Sequence, residues 1–103
     1  MVTIELDGRI TLTIDAPDAE CVDVVGAFDG WTEQRLPMTR EADGRWRLVL
    51  DPRPGEYVFR YQIDETIWAI DAEAHGTVVG DDGIKRSRFW RPPAEQDPDA
   101  IAA

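Results

Sequence analysis

The sequence predicts an all-β fold, an antiparallel β-sandwich of immunoglobulin-like size with about seven strands. Apolar and polar residues alternate with a period of two through most of the chain, as expected of strands with one buried face. Clusters of Gly, Pro and Asp separate these stretches at short intervals, which is typical of turns. No stretch combines sustained helical spacing with a capping residue. The only cysteine, Cys21, lacks the partner that a true immunoglobulin domain requires.

The predicted strands lie within residues 1–90, which we expect to form a single domain. They cover 2–6, 10–14, 21–25, 45–50, 57–63, 67–70, 76–79 and 85–90. Asp7-Gly8 has the composition of a hairpin turn between the first two strands. After the last strand, proline, alanine and acidic residues predominate. This composition predicts a flexible tail over 91–103.

Two of the predicted strands show clearly which of their faces is buried. Trp46 alternates with Leu48 and Leu50, so we interpret Trp46 as a core residue. In the following strand, one face carries Tyr57, Phe59, Tyr61 and Ile63, and the other carries Val58, Arg60 and Gln62. Since the aromatic face fills the core, Arg60 is expected on the exposed face.

The composition restricts the classes of partner. The chain has 103 residues and a formal net charge of −10, which disfavours nucleic acid and anionic membranes as partners. Its hydrophobic content of 43% is enough for a core, unlike that of a disordered acidic tail. No apolar stretch approaches the roughly 20 residues of a membrane span, and the N-terminal residues lack a signal pattern. Together with the unpaired cysteine, this predicts a cytoplasmic protein.

The residues that could carry catalysis or bind a metal are sparse. The chain contains no nucleophile elbow, phosphate-binding loop or dinucleotide fingerprint. Its only histidine, His75, cannot form a zinc site with a single cysteine, and we expect it in a surface loop without a role. Asp81-Asp82-Gly83 lacks the alternating ligands of a calcium loop and is interpreted as a solvated turn. We therefore expect that the chain is not an enzyme and that it binds neither a cofactor nor a metal ion.

The informative motif is an ordered series of aromatic and turn residues between positions 21 and 89. It comprises Gly26-Ala27-Phe28-Asp29-Gly30-Trp31, Leu36-Pro37-Met38, Gly44-Arg45-Trp46, Pro54-Gly55-Glu56-Tyr57-Val58-Phe59-Arg60, and Trp68 followed by Asp71. This order resembles the glycogen-binding carbohydrate module of the isoamylase early-set type. Such modules occur in AMP-activated protein kinase β subunits and at the N-termini of starch- and glycogen-branching and debranching enzymes. The resemblance implies an early-set sandwich that binds α-glucan.

The resemblance also implies which residues contact the sugar. Trp31 and Trp68 match the stacking tryptophans of the family, and Arg60 matches its sugar-contacting lysine. An indole offers a flat apolar surface to the C–H face of a pyranose, and a neighbouring cation donates hydrogen bonds to the hydroxyls. Arg86 stands where the family has an asparagine that helps to hold the sugar, and Asp71 is followed by Ala72 instead of proline.

Each of these residues also has a structural interpretation. Trp31 and Trp68 could pack in the core, and Arg60 could be an ordinary exposed strand cation paired with an acid. The role of Trp90, next to the tail, stays open between strand-end packing and a partner contact.

A docking domain that has lost its sugar site is the alternative to a glucan-binding module. The substitution at Arg86, the late basic cluster of Lys85, Arg86, Arg88 and Arg91, and the Phe89-Trp90 pair favour this alternative. The resemblance implies that a glucan-metabolising enzyme or kinase would then be the protein partner.

Overall fold

The computed structural model describes residues 1–28 and 32–92, and these residues form two antiparallel sheets. The strands are β1 (Val2–Ile4), β2 (Ile10–Asp15), β3 (Val22–Gly26), β4 (Gln34–Pro37), β5 (Thr39–Arg40), β6 (Arg45–Leu50), β7 (Gly55–Ile63), β8 (Ile67–Ala69), β9 (Thr77–Val79) and β10 (Lys85–Arg91). This architecture confirms the predicted all-β, immunoglobulin-like sandwich. Within the described part of the chain, no helix is long and apolar enough to cross a membrane.

The two sheets differ in size. The four-stranded sheet is built from strands within residues 2–50, and the six-stranded sheet from strands within residues 22–91. The four-stranded sheet has the order β1-β2-β6-β5. The six-stranded sheet has the order β4-β3-β7-β10-β9, with β8 also paired to β7. Because β8 and β10 pair with different parts of β7, the long strand β7 organises most of the second sheet.

The core lies between the sheets and is rich in aromatic rings. Its buried members are Ile10, Leu12, Ala19, Val22, Val24, Phe28, Met38, Trp46, Leu50, Phe59, Tyr61 and Phe89. The Phe89 ring stacks on Phe28 and on Tyr57, at centroid distances of 6.2 and 5.3 Å. Trp46 is 6% exposed, and its indole N–H donates to the carbonyl of Ala16 at 2.9 Å. The prediction that Trp46 belongs to the core is therefore confirmed.

Strands β4 and β5 were not predicted, and they lie at the edges of different sheets. Met38 separates them, is buried, and donates its backbone N–H to the Val22 carbonyl at 2.9 Å. The chain thus changes sheets at Met38. Sequence patterning misses this step because both strands are short and mostly exposed, and Pro37 is tolerated only at a sheet edge.

The C-terminal end of the fold extends slightly beyond the predicted last strand. Strand β10 ends at Arg91, which is 2% exposed. The rest of the predicted tail, from residue 93 onward, lies outside the described residues.

Candidate functional site

The outward side of the six-stranded sheet, hereafter the outer face, carries most of the predicted site residues. Arg88 pairs with Val58 across β10 and β7, and Trp68 pairs with Gln62 across β8 and β7. Side chains alternate along each strand, so the following residues share this face. They are Asp23, Val25, Glu56, Val58, Arg60, Gln62, Trp68, Val78, Arg86, Arg88 and Trp90. The structure therefore brings Arg60, Trp68 and Arg86 to one surface.

Arg60 and Trp68 are in direct contact. The guanidinium carbon of Arg60 lies 3.8 Å from the centroid of the Trp68 ring, a cation–π stack. Trp68 remains 44% exposed, which excludes the core interpretation for this residue. The two side chains are diagonal neighbours on adjacent strands, a spacing that long side chains bridge. One face of the indole is thus covered by a planar cation.

A braced turn sets the position of β8 and of Trp68. Asp64 and Glu65 both adopt left-handed backbone conformations, with φ of 52° and 63°, which are uncommon for residues other than glycine. The Asp64 carboxylate accepts hydrogen bonds from the backbone N–H groups of Glu20 and Cys21, at 2.7 and 3.1 Å. The amide of Gln62 donates to the Glu65 carbonyl at 3.3 Å. These contacts tie the turn to the segment before β3.

Arg86 is engaged in an ion pair within the β9–β10 connection. Its guanidinium donates to both carboxylate oxygens of Asp82, at 2.9 and 3.2 Å. This hydrogen bonding lowers the pKa of Asp82 to about 2, helped by the backbone N–H of Ile84, and raises the pKa of Arg86. Asp82 is therefore more than a solvated turn acid, because it orients an arginine on the outer face.

The predicted stacking residue Trp31 lies outside the described residues, but the start of its motif is described. A side chain at Gly26 would place its Cβ 2.7 Å from the Val58 carbonyl oxygen and 2.8 Å from the Phe28 ring. Only glycine fits there, because Phe28 is buried against β3. The Gly-x-Phe part of the motif therefore serves packing of the sandwich.

Asp71, the last residue of the motif, is a buried hydrogen-bonding centre. Its carboxylate accepts from the Tyr61 hydroxyl at 2.7 Å and from the Glu73 N–H at 2.9 Å, and it contacts the N-terminal ammonium. Its own N–H donates to the Ser87 hydroxyl at 2.6 Å. Burial and the bond to Asp71 raise the pKa of Tyr61. In the sequence, Asp71 stands out only as a motif residue. Its hydrogen-bonding role is not visible there, because its partners are distant along the chain.

The late basic cluster is not an exposed positive patch. Arg86 pairs with Asp82, Arg88 pairs with Glu56 at 2.7 Å, and Arg91 is buried. These pairs neutralise two of the cations that favoured the docking interpretation.

His75 lies in a surface loop, as predicted, but the expectation that it has no role is wrong, because it has a structural one. Its Nδ1 accepts a hydrogen bond from the Trp90 N–H at 2.9 Å, and its own N–H donates to the Arg88 carbonyl. His75 thereby extends the pairing of β10 beyond β9. No sequence motif signals this role, since it depends on the position of β10.

The described residues form a β-sandwich that presents two exposed indole rings and several arginines on one sheet face. The chain belongs to the family of carbohydrate-binding module 48, the isoamylase N-terminal domain, whose family model matches residues 2–74. This result confirms the resemblance drawn from the motif. Modules of this kind bind carbohydrate and are not themselves catalytic, whereas the relatives in which this region occurs are enzymes.

Curated relatives of this chain are bacterial 1,4-alpha-glucan branching enzymes. The enzyme of Methylococcus capsulatus is 36% identical over 71% of this chain and 9% of its own length. The enzyme of Pseudomonas syringae pv. tomato is 42% identical over 52% of this chain and 7% of its own length. The chain thus spans less than a tenth of the curated relatives that it matches.

Solved structures with a similar fold include two pullulanases. The Bacillus subtilis type I pullulanase, complexed with maltose, has a TM-score of 0.70 and 19% identity over 92% of this chain and 13% of its own. The Anoxybacillus pullulanase, complexed with maltotetraose, has a TM-score of 0.65 and 23% identity over 84% of this chain and 13% of its own. At this level of identity, the likeness establishes the fold.

Proposed function

We propose that this module binds glycogen- or starch-like α-glucan through the outer face of the six-stranded sheet. The observation that carries the proposal is the exposed Trp68 ring stacked on the Arg60 guanidinium. One indole face is covered by the cation, so the other is the surface on which a pyranose can stack. A single guanidinium can therefore orient the indole and donate hydrogen bonds from its edge to sugar hydroxyls.

Two further residues belong to the proposed site. Trp31 is assigned as the second stacking ring by its place in the motif. Arg86 is assigned as an additional donor, through the N–H groups that Asp82 does not occupy. A neutral polysaccharide is compatible with the net charge of −10, since it is neither repelled nor attracted by an acidic surface.

The proposed role is non-catalytic and needs no cofactor. Because curated relatives of this region are glucan-branching enzymes, we further propose that the bound glucan is the substrate of a glucan-metabolising enzyme. A cytoplasmic location is part of the same proposal. A separate docking function is not advanced, since two arginines of the late cluster are paired with acids and a third is buried.

Affinity electrophoresis in gels containing glycogen or amylose tests the proposal. The wild-type chain should be retarded relative to a gel without polysaccharide, and a Trp31→Ala, Trp68→Ala double variant should migrate without retardation. Val49→Ala is the matched control, because it truncates an exposed apolar side chain on the opposite sheet. A wild-type chain that migrates freely in both gels would overturn the proposed function.

A further inference from the structure

The most exposed indole described in the structure, Trp90, has no role in the site proposed above. It lies near the end of β10 and is 55% exposed, more than Trp68. It pairs with Glu56 across β7, so its side chain lies on the outer face with Arg60 and Trp68. Trp68 and Trp90 are therefore two exposed indoles on one face of the sheet.

The register of β7 gives the separation of the two indoles. Trp90 lies at the level of Glu56 and Trp68 at the level of Gln62, six residues apart along one strand. At about 3.3 Å per residue, the backbone positions that carry the two indoles are about 20 Å apart along β7. This distance is too great for a single sugar ring to contact both indoles, but a chain of several sugars can cover it.

The backbone at Trp90 is held firmly. It pairs with β7 on one side, and on the other its N–H donates to the Nδ1 atom of His75 at 2.9 Å. His75 is itself bonded to the strand through Arg88, whose guanidinium donates to the His75 carbonyl at 3.3 Å. A backbone that is already paired adds no ordering cost of its own when the ring binds a ligand.

The polar groups beside Trp90 suit a neutral polyhydroxylated ligand. Arg88 and Glu56 form an ion pair at 2.7 Å, with side chains 41% and 52% exposed. The pair offers N–H donors and carboxylate acceptors next to the indole but no net charge. A charged peptide would find no complementary field here, whereas sugar hydroxyls both donate and accept hydrogen bonds.

We infer that Trp90 is an additional stacking platform, beyond Trp31 and Trp68, which extends the proposed α-glucan site along the outer face toward the end of β10. In this arrangement, Trp68 and Arg60 hold one part of a glucan chain, and Trp90 with the Arg88–Glu56 pair holds a part several sugars away. The inference rests on the proposed function, and it adds that the site prefers long chains to short ones.

Isothermal titration of the chain with maltotriose and with maltoheptaose tests this inference. Trp90→Ala should weaken maltoheptaose binding about fivefold to tenfold, the value of one aromatic stacking contact, and leave maltotriose binding unchanged. Trp68→Ala should weaken the binding of both sugars. Trp90→Phe should retain most of the affinity for maltoheptaose. Val79→Ala, which truncates an exposed side chain pointing to the opposite side of β9, should alter neither.

The outcomes separate the inference from the proposed function. If the wild type binds both sugars and Trp90→Ala binds maltoheptaose as well as the wild type does, the inference is wrong and the proposed function stands. Equal weakening of both sugars by Trp90→Ala would also overturn it, because the two platforms would not be separate. If the wild type binds neither sugar, both proposals fail. Thermal unfolding of each variant verifies that it is folded.

Discussion

Both sheets of the sandwich expose one face, and the two exposed faces carry different side chains. The outward residues of the four-stranded sheet are small, polar or aliphatic, and they include Thr3, Thr11, Thr13, Arg45, Arg47 and Val49. The outer face of the six-stranded sheet carries two exposed indoles, Trp68 and Trp90, together with arginines. Arginines are present on both faces, so positive charge does not distinguish them.

The difference lies in what the arginines contact. Arg47, on the four-stranded sheet, forms a long ion pair with Glu41, at 3.9 Å. Arg60, on the six-stranded sheet, stacks on an aromatic ring. A guanidinium stacked on an indole is held in one orientation and partly desolvated. A guanidinium that faces solvent can change its orientation at little cost in free energy. Orientation of donors beside a flat apolar ring is the property that a sugar-binding surface needs.

The largest expected effect on stability comes from truncating a buried indole, and truncation of an exposed indole is the comparison. Trp46→Ala should lower the free energy of unfolding by about 3–5 kcal/mol, because it removes a buried ring and its hydrogen bond to Ala16. Trp68→Ala should lower it by less than about 1 kcal/mol, while weakening retardation by glycogen in affinity electrophoresis. Urea denaturation followed by circular dichroism measures both. A Trp68→Ala variant as unstable as Trp46→Ala would contradict the assignment of Trp68 to a binding surface.

A smaller effect on stability is expected for the inward side of β7. Tyr61→Phe should cost about 1–3 kcal/mol, because the buried Asp71 carboxylate loses a donor. Tyr57→Phe is the matched control, since the Tyr57 hydroxyl donates to the Arg53 carbonyl in an exposed position. This variant should cost less than about 0.5 kcal/mol. Equal costs in thermal unfolding would refute the role of Asp71 as a buried centre.

Measurements of maltoheptaose binding test the difference between Arg60 and Arg47. Arg60→Ala should weaken maltoheptaose binding about tenfold, about 1.4 kcal/mol, because the sugar loses a donor and Trp68 loses its orienting partner. Arg47→Ala should leave the affinity unchanged. Arg60→Lys should be intermediate, since lysine retains the charge but not the planar stack. Titration calorimetry that finds the same affinity for Arg60→Ala and Arg47→Ala would remove the distinction between the two faces.

The smallest effect concerns the acid limb of the stability profile. Arg86 lowers the pKa of Asp82 in the folded chain from 3.8 to about 2. The ionised carboxylate is thus favoured by folding, and its contribution is present above about pH 4 and lost as the pH falls through about 2. Asp82→Asn should remove this part of the pH dependence of the unfolding temperature.

Titration of the Asp82 carboxyl by NMR provides the direct measurement. The midpoint should lie near 2 in the wild type and rise toward 3.8 in Arg86→Ala. A midpoint near 3.8 in the wild-type chain would show that the ion pair does not persist in solution.

Much of the fold was predictable because strand faces are a local property. The alternation of Trp46 with Leu48 and of Phe59 with Tyr61 identifies the buried faces without knowledge of any partner strand. The outward direction of Arg60 follows from the same alternation. Strands β4 and β5 escaped prediction because their pairing, and not their side-chain pattern, makes them strands.

The site was only partly predictable. The motif named Arg60, Trp68 and Arg86 as candidate site residues, but the sequence left Trp90 open between strand-end packing and a partner contact, and only the structure shows that its ring is exposed. The stack of Arg60 on Trp68 and the pairing of Arg86 with Asp82 needed coordinates, since side-chain contacts depend on strand register and loop geometry.

The β-sandwich, the family motif and the faces of the long strands can be read from the sequence, because a period of two and the turn residues act over a few neighbouring positions. Coordinates were needed to show that Trp68 stacks on Arg60, that Asp71 and His75 connect distant strands, and that Arg86 and Arg88 of the late basic cluster are paired with acids. Those contacts join residues on different strands and loops of the six-stranded sheet, so the pairing of those strands brings them together.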